Sequence, residues 1–557
     1  MARLVYPQLP LDGLLRRAAV RNPSGCALRT GAGPGGRSVT FAELDAEADR
    51  FAGYLEHACG RRGARVGTAN TLTPVFAAAY YGTARSGNTV VLVNPLIKEA
   101  GLAHVFAAAA VEVAFVPAAT AELLVKLRDR LPALTTVVVT DAPDAVVPGD
   151  CLPLAAVLDR APVPAARLLD TGPGPGPGPG PGLDLGPGPG LDLGPGLGLD
   201  EDVCIQFTTG TTGRPKGVRL THRNLVANAA QIAAAHRLDG DSVTLNHLPL
   251  YHVMHLNSAV YAGACQVLAT DPDPVASLAL AAETAATHYY GLPARLHALA
   301  RDRRPVGPVP RSLTAVLSGG TALAPAAARA LTDRLGVPVV QGYGMAELSP
   351  LSHCQDPRSP KSGSVGPVVP GTECRVVDLE SRRPLEVFAT GEVQVRGPQV
   401  MAGYLDDGSG AAGPSPVDAD GWFSTGDVGY QTEDGVLFLV DRLGDVFKYD
   451  NELVSPSAVE AVVSDDPRVA ECIVAGWPDA VHGAVVWLGI VLRDPAAEGL
   501  LDVLDSVVDA ANGRLAPFEQ IRRVEVIDAV PRNHVGKPDR RELRRGIRGR
   551  ASAEAGA

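Results

Sequence analysis

Residues 203–238 constrain this chain more than any other stretch. "VCIQF" (203–207), apolar but for Gln206, reads as a buried strand. "TTGTTGRPKG" follows as a loop, and "THRNLVANAAQIAAAHRL" (221–238) has helical spacing with Thr221 placed as its N-cap. A buried strand that feeds a Gly/Thr loop into a helix belongs to an α/β architecture. Other segments agree. "VTFAELDAEADRFAGYLEH" (39–57) has a helical period, and "TVVLVNP" (89–95) is a β-rich run stopped by Asn-Pro. "SLTAVLSGG" predicts a strand ending in a glycine turn, "APAAARALTDRL" a helix, and "VPVVQGYGMAE" a strand running into a loop.

The loop itself carries chemistry. In "FTTGTTGRPKGV" (207–218), four threonines, three glycines and a lysine leave the end of a strand. Backbone N–H groups freed by glycine, with hydroxyls and an ammonium, suit a polyphosphate. The spacing is not that of a Walker A loop, because Lys216 follows Pro215 and no Ser or Thr follows it. On composition alone, a plain Gly/Thr surface turn is an equal alternative.

Length and charge narrow the class. The 557 residues suggest three or four folding units, or one large domain and a smaller one. Apolar residues make up 46% and charged residues 20%, enough for a sizeable core. The net charge of −11 argues against a general nucleic-acid binder. Eight scattered cysteines (26, 59, 151, 204, 265, 354, 374 and 472) form no C-x-x-C pair and read as free thiols in a reducing compartment. The N-terminus lacks a secretory pattern, and the alanine-rich runs are too short and interrupted to span a bilayer. The expectation is a soluble cytoplasmic protein. Residues 171–200, nearly all Gly, Pro, Leu and Asp, cannot bury a core and predict a disordered surface insertion. "DDGSGAAGPSPVDADG" (406–421) has similar character.

Further stretches occur in a telling order: "QGYGMAE" (341–347), "GEVQVRGPQVMAGY" (391–404), "GWFSTGDVG" (421–429), "DRLGDVFKYDNELVSPSAVE" (441–460) and "PRNHVGKPDRREL" (531–543). With the Gly/Thr loop they resemble the ordered motifs of the adenylate-forming superfamily of acyl-CoA synthetases, adenylation domains and luciferases. "LPLYHVMHLNS" (248–258) and "VLSGGTALAP" (316–325) look most like 4-coumarate–CoA ligase-like enzymes. The resemblance spans nearly the whole chain except the Gly/Pro insertion. It implies a large multi-subdomain α/β N-terminal adenylation domain (1–442) and a small mobile α+β C-terminal domain (443–557). It also implies two half-reactions. A carboxylate attacks the α-phosphate of ATP to give acyl-AMP and pyrophosphate, and a thiol, often that of coenzyme A, then displaces AMP.

The resemblance carries roles to matched positions. Thr208, Thr209, Thr211, Thr212 and Lys216, with Gly210 and Gly213 between them, would hold the β- and γ-phosphates. Glu347 would hold Mg²⁺ across phosphate oxygens. Tyr343 would stack beside the adenine, with Gly319, Gly320 and Thr321 on its other side and Gln341, Gly342, Gly344, Met345 and Ala346 completing the nucleotide strand. Asp427 would accept from the ribose hydroxyls, with Val440 and Arg442 nearby. Lys537 would reach the α-phosphate and carboxylate oxygens. His252, after Tyr251, would gate or line the acyl site. Met254, His255, Ser258, Leu317, Ser318, Gly344 and Met345 would surround the acid. Leu317 stands where coumarate ligases place a lysine near a phenolic hydroxyl, which implies an acid with an apolar body.

Three stretches depart from the family pattern. The threonine of its Tyr-Gly-x-Thr-Glu motif is Ala346. The hinge Asp or Lys is Gly444. The glycine of the next loop is Asn451, with Leu453 where coumarate ligases carry Gln. In the family the C-terminal domain swings about this hinge, and Lys448 would move with it. Adenylation residues are mostly matched while thiolation residues are partly replaced. This implies a competent acyl-AMP former whose transfer to CoA is weak. Two alternatives stay open: delivery to a separate carrier-protein thiol, and a catalytically inactive nucleotide-binding scaffold. Retention of Lys537 argues against the latter.

Overall fold

In the computed structural model, the described residues are 4–31, 36–71, 73–141, 147–159, 198–208, 215–247, 252–305, 309–406, 416–450, 452–494, 499–532 and 538–555. Nearly all of the Gly/Pro insertion therefore lies outside them. The chain divides into two compact units. The first comprises residues 1–374, 395–423 and 434–437, and the second 375–394, 424–433 and 438–557.

The first unit is built on two eight-stranded sheets. One runs in the order Leu152–Pro153, Thr136–Val139, Val113–Val116, Arg65–Ala69, Thr89–Val93, Asp202–Thr208, Lys216–Thr221, Gly403–Tyr404. The first six strands are parallel to their neighbours, and the last two pair antiparallel. "TVVLV" and "VAFV" are buried along their whole length, as expected for parallel strands covered on both faces. The other sheet runs Arg37–Thr40, Cys26–Thr30, Cys265–Ala269, Val243–His247, His288–Gly291, Ala315–Ser318, Val339–Gly344, Leu351–Cys354, antiparallel only at its two edges. Each sheet has its own apolar core.

Local chemistry sets the helix boundaries. Helix Phe41–Cys59 begins in a reciprocal Thr40/Glu43 capping box and ends at left-handed Gly60. Helix His222–His236 begins at Thr221, whose hydroxyl accepts from Asn224 N while the Asn224 side chain accepts from Thr221 N. Three helices meet around buried Arg85, which pairs with Asp12, Asp45 and Asp49. A guanidinium at this depth is tolerable because carboxylates surround it.

The second unit holds most of a four-stranded sheet (Glu373–Val377, Gly391–Arg396, Phe423–Gln431, Leu437–Arg442) and a five-stranded one. In the latter, strand Gly483–Leu492 of the long hairpin Val469–Asp479/Gly483–Leu492 carries the remaining strands on its other edge: Phe447–Tyr449, itself paired with Glu452–Val454, at Gly483, and parallel Ile521–Val526 along Val486–Ile490. Helices Pro456–Ser464 and Leu500–Asn512 contribute Val459, Val463, Leu504 and Val507 to its core. Among the described residues no helix is long and apolar enough to cross a membrane.

Candidate active site

The expected site residues of the first unit gather at the carboxyl ends of parallel strands, where open α/β sheets hold ligands. Thr208 ends strand Asp202–Thr208 and pairs in register with Lys216, the first residue of the next strand. Thr209, Gly210, Thr211, Thr212 and Gly213, between them, lie outside the described residues, as do Tyr251, Asn451 and Lys537. The Lys216 ammonium sits 5.0 Å from the centre of the Tyr404 ring. The Tyr404 hydroxyl donates to Glu347 Oε1 at 2.9 Å. Thus one phenol joins the loop lysine to the expected metal carboxylate. Burial first, and then the Glu347 charge, push the Tyr404 phenol well above its ordinary range, so it remains a donor.

The donor set fits Mg²⁺. That ion keeps several waters and takes one or two protein carboxylates alongside nucleotide phosphates. Glu347 offers such a carboxylate, whereas no group of three or more His, Cys, Asp or Glu able to cage a metal occurs among the described residues.

The expected adenine slot forms between two strand ends. Ser318 is in register with Gln341 on the neighbouring strand. Gln341 Oε1 accepts from Leu323 N at 2.7 Å, tying the Gly319–Thr321 turn to the strand that carries Tyr343. Gly320 has φ +92°, a conformation that favours glycine. Gly344 is required for a different reason. A Cβ there would lie 1.8 Å from Pro350 O, so the returning strand dictates this glycine. Met345 N donates to that same Pro350 oxygen at 3.0 Å. Ala346 is buried in the short 3₁₀ turn Ala346–Leu348 that presents Glu347.

The expected acyl residues are joined by several the sequence reading did not single out. Gln206 Nε2 donates to His252 Nδ1 at 2.7 Å, which leaves the imidazole proton on Nε2. Desolvation lowers the pKa of His252 to about 4 and of His255 to about 3, so both are neutral at physiological pH. The His255 ring lies 4.1 Å from Tyr290, centre to centre. The Tyr290 hydroxyl in turn meets His236 Nδ1 at 2.9 Å. Tyr290 is in register with Leu317 on the adjacent strand, and the two share an apolar cluster with Ala315 and Val340. Met254 packs toward Ile232 and Leu351, while Ser258 is fully buried, its hydroxyl 3.4 Å from His255 O. Strand adjacency was the missing signal for Tyr290, because pairing with Leu317 is invisible in sequence order.

The second unit brings Asp427 and Arg442 together, with Arg442 Nε 2.7 Å from Asp427 Oδ1. Val440, on the same strand as Arg442, accepts from the Ser455 hydroxyl at 3.4 Å. Lys448 pairs with Glu380. Gly444 sits in the turn after Arg442, and a Cβ added to it would meet nothing within 4 Å.

Residues 15–405 match the model for AMP-binding enzymes, and residues 458–537 the model for the AMP-binding enzyme C-terminal domain. The chain is 30% identical over 540 residues to 4-coumarate–CoA ligase 2 of Oryza sativa subsp. japonica, covering 91% of this chain and 88% of that one. It is 28% identical over 559 residues to a long-chain-fatty-acid–CoA ligase of Bacillus subtilis (strain 168), covering 97% and 95%. ATP-bound MatB from Rhodopseudomonas palustris shares the fold with a TM-score of 0.79 at 24% identity, covering 97% of this chain and 99% of that one. The chain belongs to the AMP-binding enzyme family of adenylate-forming acid–thiol ligases.

Proposed function

We propose that the chain activates a carboxylic acid of apolar, uncharged body to its acyl-adenylate and passes the acyl group to coenzyme A. The observation that carries the first step is the junction of Lys216, Tyr404 and Glu347 at the exit of the Gly/Thr loop. It sets an ammonium and a carboxylate on one ring, beside the loop that would cradle the β- and γ-phosphates. Bound Mg²⁺ would supply charge neutralisation across the phosphate oxygens, held by Glu347. One oxygen of the acid attacks the α-phosphorus, the bond to the bridging oxygen breaks, and pyrophosphate leaves. Thr208, with the loop threonines 209, 211 and 212, and Lys216 hold the departing charge. Lys537 supports the α-phosphate and carboxylate oxygens. Asp427, steadied by Arg442, takes the ribose hydroxyls, and Tyr343 covers the adenine opposite Gly319–Thr321.

The acid's body fits the wall of Leu317, Tyr290 and His255. Tyr290 already has a partner in His236, and His252 and His255 are neutral, so this wall offers no cation to a second carboxylate. In the second step the thiol sulfur attacks the acyl carbon and AMP leaves. The small domain (443–557) swings about Gly444 to permit this. Gly444, Asn451 and Leu453 replace family residues on this side of the reaction, so transfer to CoA is slower than adenylation. Delivery to a carrier-protein thiol is the alternative. Pyrophosphate release across a panel of acids, with and without CoA, tests the whole reading. An apolar acid should give a burst of acyl-AMP followed by slow acyl-CoA. Rapid acyl-CoA with no adenylate accumulation overturns the slow transfer, and 4-coumarate as the best acid overturns the substrate class.

A further inference from the structure

We propose that Tyr404 is a positioning residue that sets the orientation of the Glu347 carboxylate toward the metal–nucleotide and gives the Lys216 ammonium its resting place. The inference rests on the roles proposed above for those two residues. Tyr404 belongs to a segment stitched through its backbone to Glu347 and to the strand that Lys216 begins. Met401 N donates to Glu347 O at 2.9 Å. Ala402 N donates to Arg219 O at 3.0 Å and Leu405 N to Gly217 O at 2.7 Å. Gly403 and Tyr404 thereby pair with Arg219 and Val218 on the strand that leaves the loop.

This approach is sterically close. A Cβ on Gly217 would lie 3.0 Å from Leu405 Cβ and 3.2 Å from both Ile205 and Phe207 side chains, so glycine admits the incoming segment. Gly403, at φ +143°, lets the chain turn into the pairing just before the tyrosine. The phenol therefore arrives at its two side-chain partners in a register set by three backbone hydrogen bonds.

Each partner gains something specific. A carboxylate with one oxygen engaged by a hydroxyl is held in one rotation and presents its other oxygen to a cation. Outer partners of this kind commonly govern metal affinity by about 10- to 100-fold. An ammonium over a phenol face is held without a counter-charge that would later compete with phosphate. The ring thus separates a cation and an anion that would otherwise neutralise each other before nucleotide arrives.

The test uses the full chain and three variants: Tyr404→Phe, Tyr404→Leu and Glu347→Gln. Mn²⁺ serves as the spectroscopic probe of the Mg²⁺ site, read by electron paramagnetic resonance with a non-hydrolysable ATP analogue. Metal-free analogue binding is read by calorimetry, and melting temperature reports folding. Tyr404→Phe keeps the ring and should weaken Mn²⁺ binding roughly tenfold or more, with metal-free nucleotide affinity within about twofold of the parent. Tyr404→Leu should lose in addition about threefold or more of the metal-free affinity. Parent-like Mn²⁺ affinity in Tyr404→Phe, beside a loss in Glu347→Gln, overturns the role of the tyrosine alone. Parent-like Mn²⁺ affinity in Glu347→Gln overturns both the role of the tyrosine and the assignment of Glu347. If the leucine variant melts early, the phenylalanine variant alone decides.

Discussion

Arg442 closes an ion pair with Asp427 at 2.7 Å, and the turn that begins at Arg442 is tied again at Asp445, which pairs with Arg540 and Arg544 of the C-terminal helix. Gly444 lies between these two ties. Its Cβ position is open, and its φ is not among the positive values that call for glycine. The turn as it stands therefore accepts a side chain, and the glycine matters for motion away from it. Gly444→Lys should change stability by less than about 0.5 kcal/mol, leave acid-dependent pyrophosphate release within about twofold, and change acyl-CoA formation several-fold. Denaturant melts and the two half-reactions measured separately check this. Loss of adenylation with unaltered transfer would mean that Gly444 is not the pivot.

Asp427 is buried and carries a charge-assisted contact. If it receives the ribose, Asp427→Ala removes a hydrogen bond to an ionised group worth about 1.5–3 kcal/mol, a rise of about 10- to 160-fold in KM for ATP. KM for the acid should hold steady. Initial-rate kinetics with each substrate varied in turn separates the two, and an equal rise in both would sink the ribose assignment.

Leu317 is 6% exposed and packs with Tyr290. Leu317→Ala should cost about 2–4 kcal/mol and open room beside Tyr290. The ratio of kcat/KM for a bulkier acid to that for the parent substrate should rise. A stability loss with an unchanged acid profile places Leu317 in the core only.

His353 is fully buried, and desolvation lowers its pKa to about 3. The unfolded chain, at about 6.5, takes the proton first. The contribution of this histidine to stability is therefore complete above pH 6.5 and falls away as pH drops toward 3. Between pH 7 and pH 5 it amounts to about 2 kcal/mol. Urea unfolding of the parent and of His353→Gln at those two pH values should show a smaller pH dependence in the variant by that amount.

Cys26 and Cys265 place their sulfurs 2.8 Å apart, with the Cys265 thiol donating to Cys26. That bond lowers the pKa of Cys26 and raises that of Cys265. Burial holds the Cys354 thiol up at about 12. Iodoacetamide at neutral pH should modify Cys26 first, by at least about tenfold over Cys354. Peptide mapping of a time course reads the order, and early labelling of Cys265 would reverse the assignment.

Sequence carried the local features well. The cap at Thr221 was legible because its partner Asn224 is three residues away, and the strand "TVVLV" because a parallel strand buried along its whole length is rich in β-branched and apolar residues. Contacts between distant segments were not legible. Tyr404 and Glu347 are 57 positions apart, His236 and Tyr290 are 54, and Cys26 and Cys265 are 239. Each pair meets only because the tertiary fold brings distant segments side by side. Gly344 shows the opposite case. Sequence placed it beside the acid, while the need for glycine comes from Pro350 packing against it.

The strand that leaves the Gly/Thr loop takes its outer neighbour from Gly403–Tyr404, and the backbone of Glu347 takes a bond from Met401. On a ribosome those partners emerge about 190 residues after the loop, a delay of roughly 10–40 s at ordinary rates of synthesis. Through that interval the nascent chain exposes Lys216–Thr221 as an unpaired sheet edge, open to pairing with a neighbouring nascent chain. The same two-residue strand that finishes the site also ends that exposure. Shortening the interval with faster codons, or prolonging it with a stall before residue 403, would therefore act on yield of folded protein while leaving the finished enzyme unchanged.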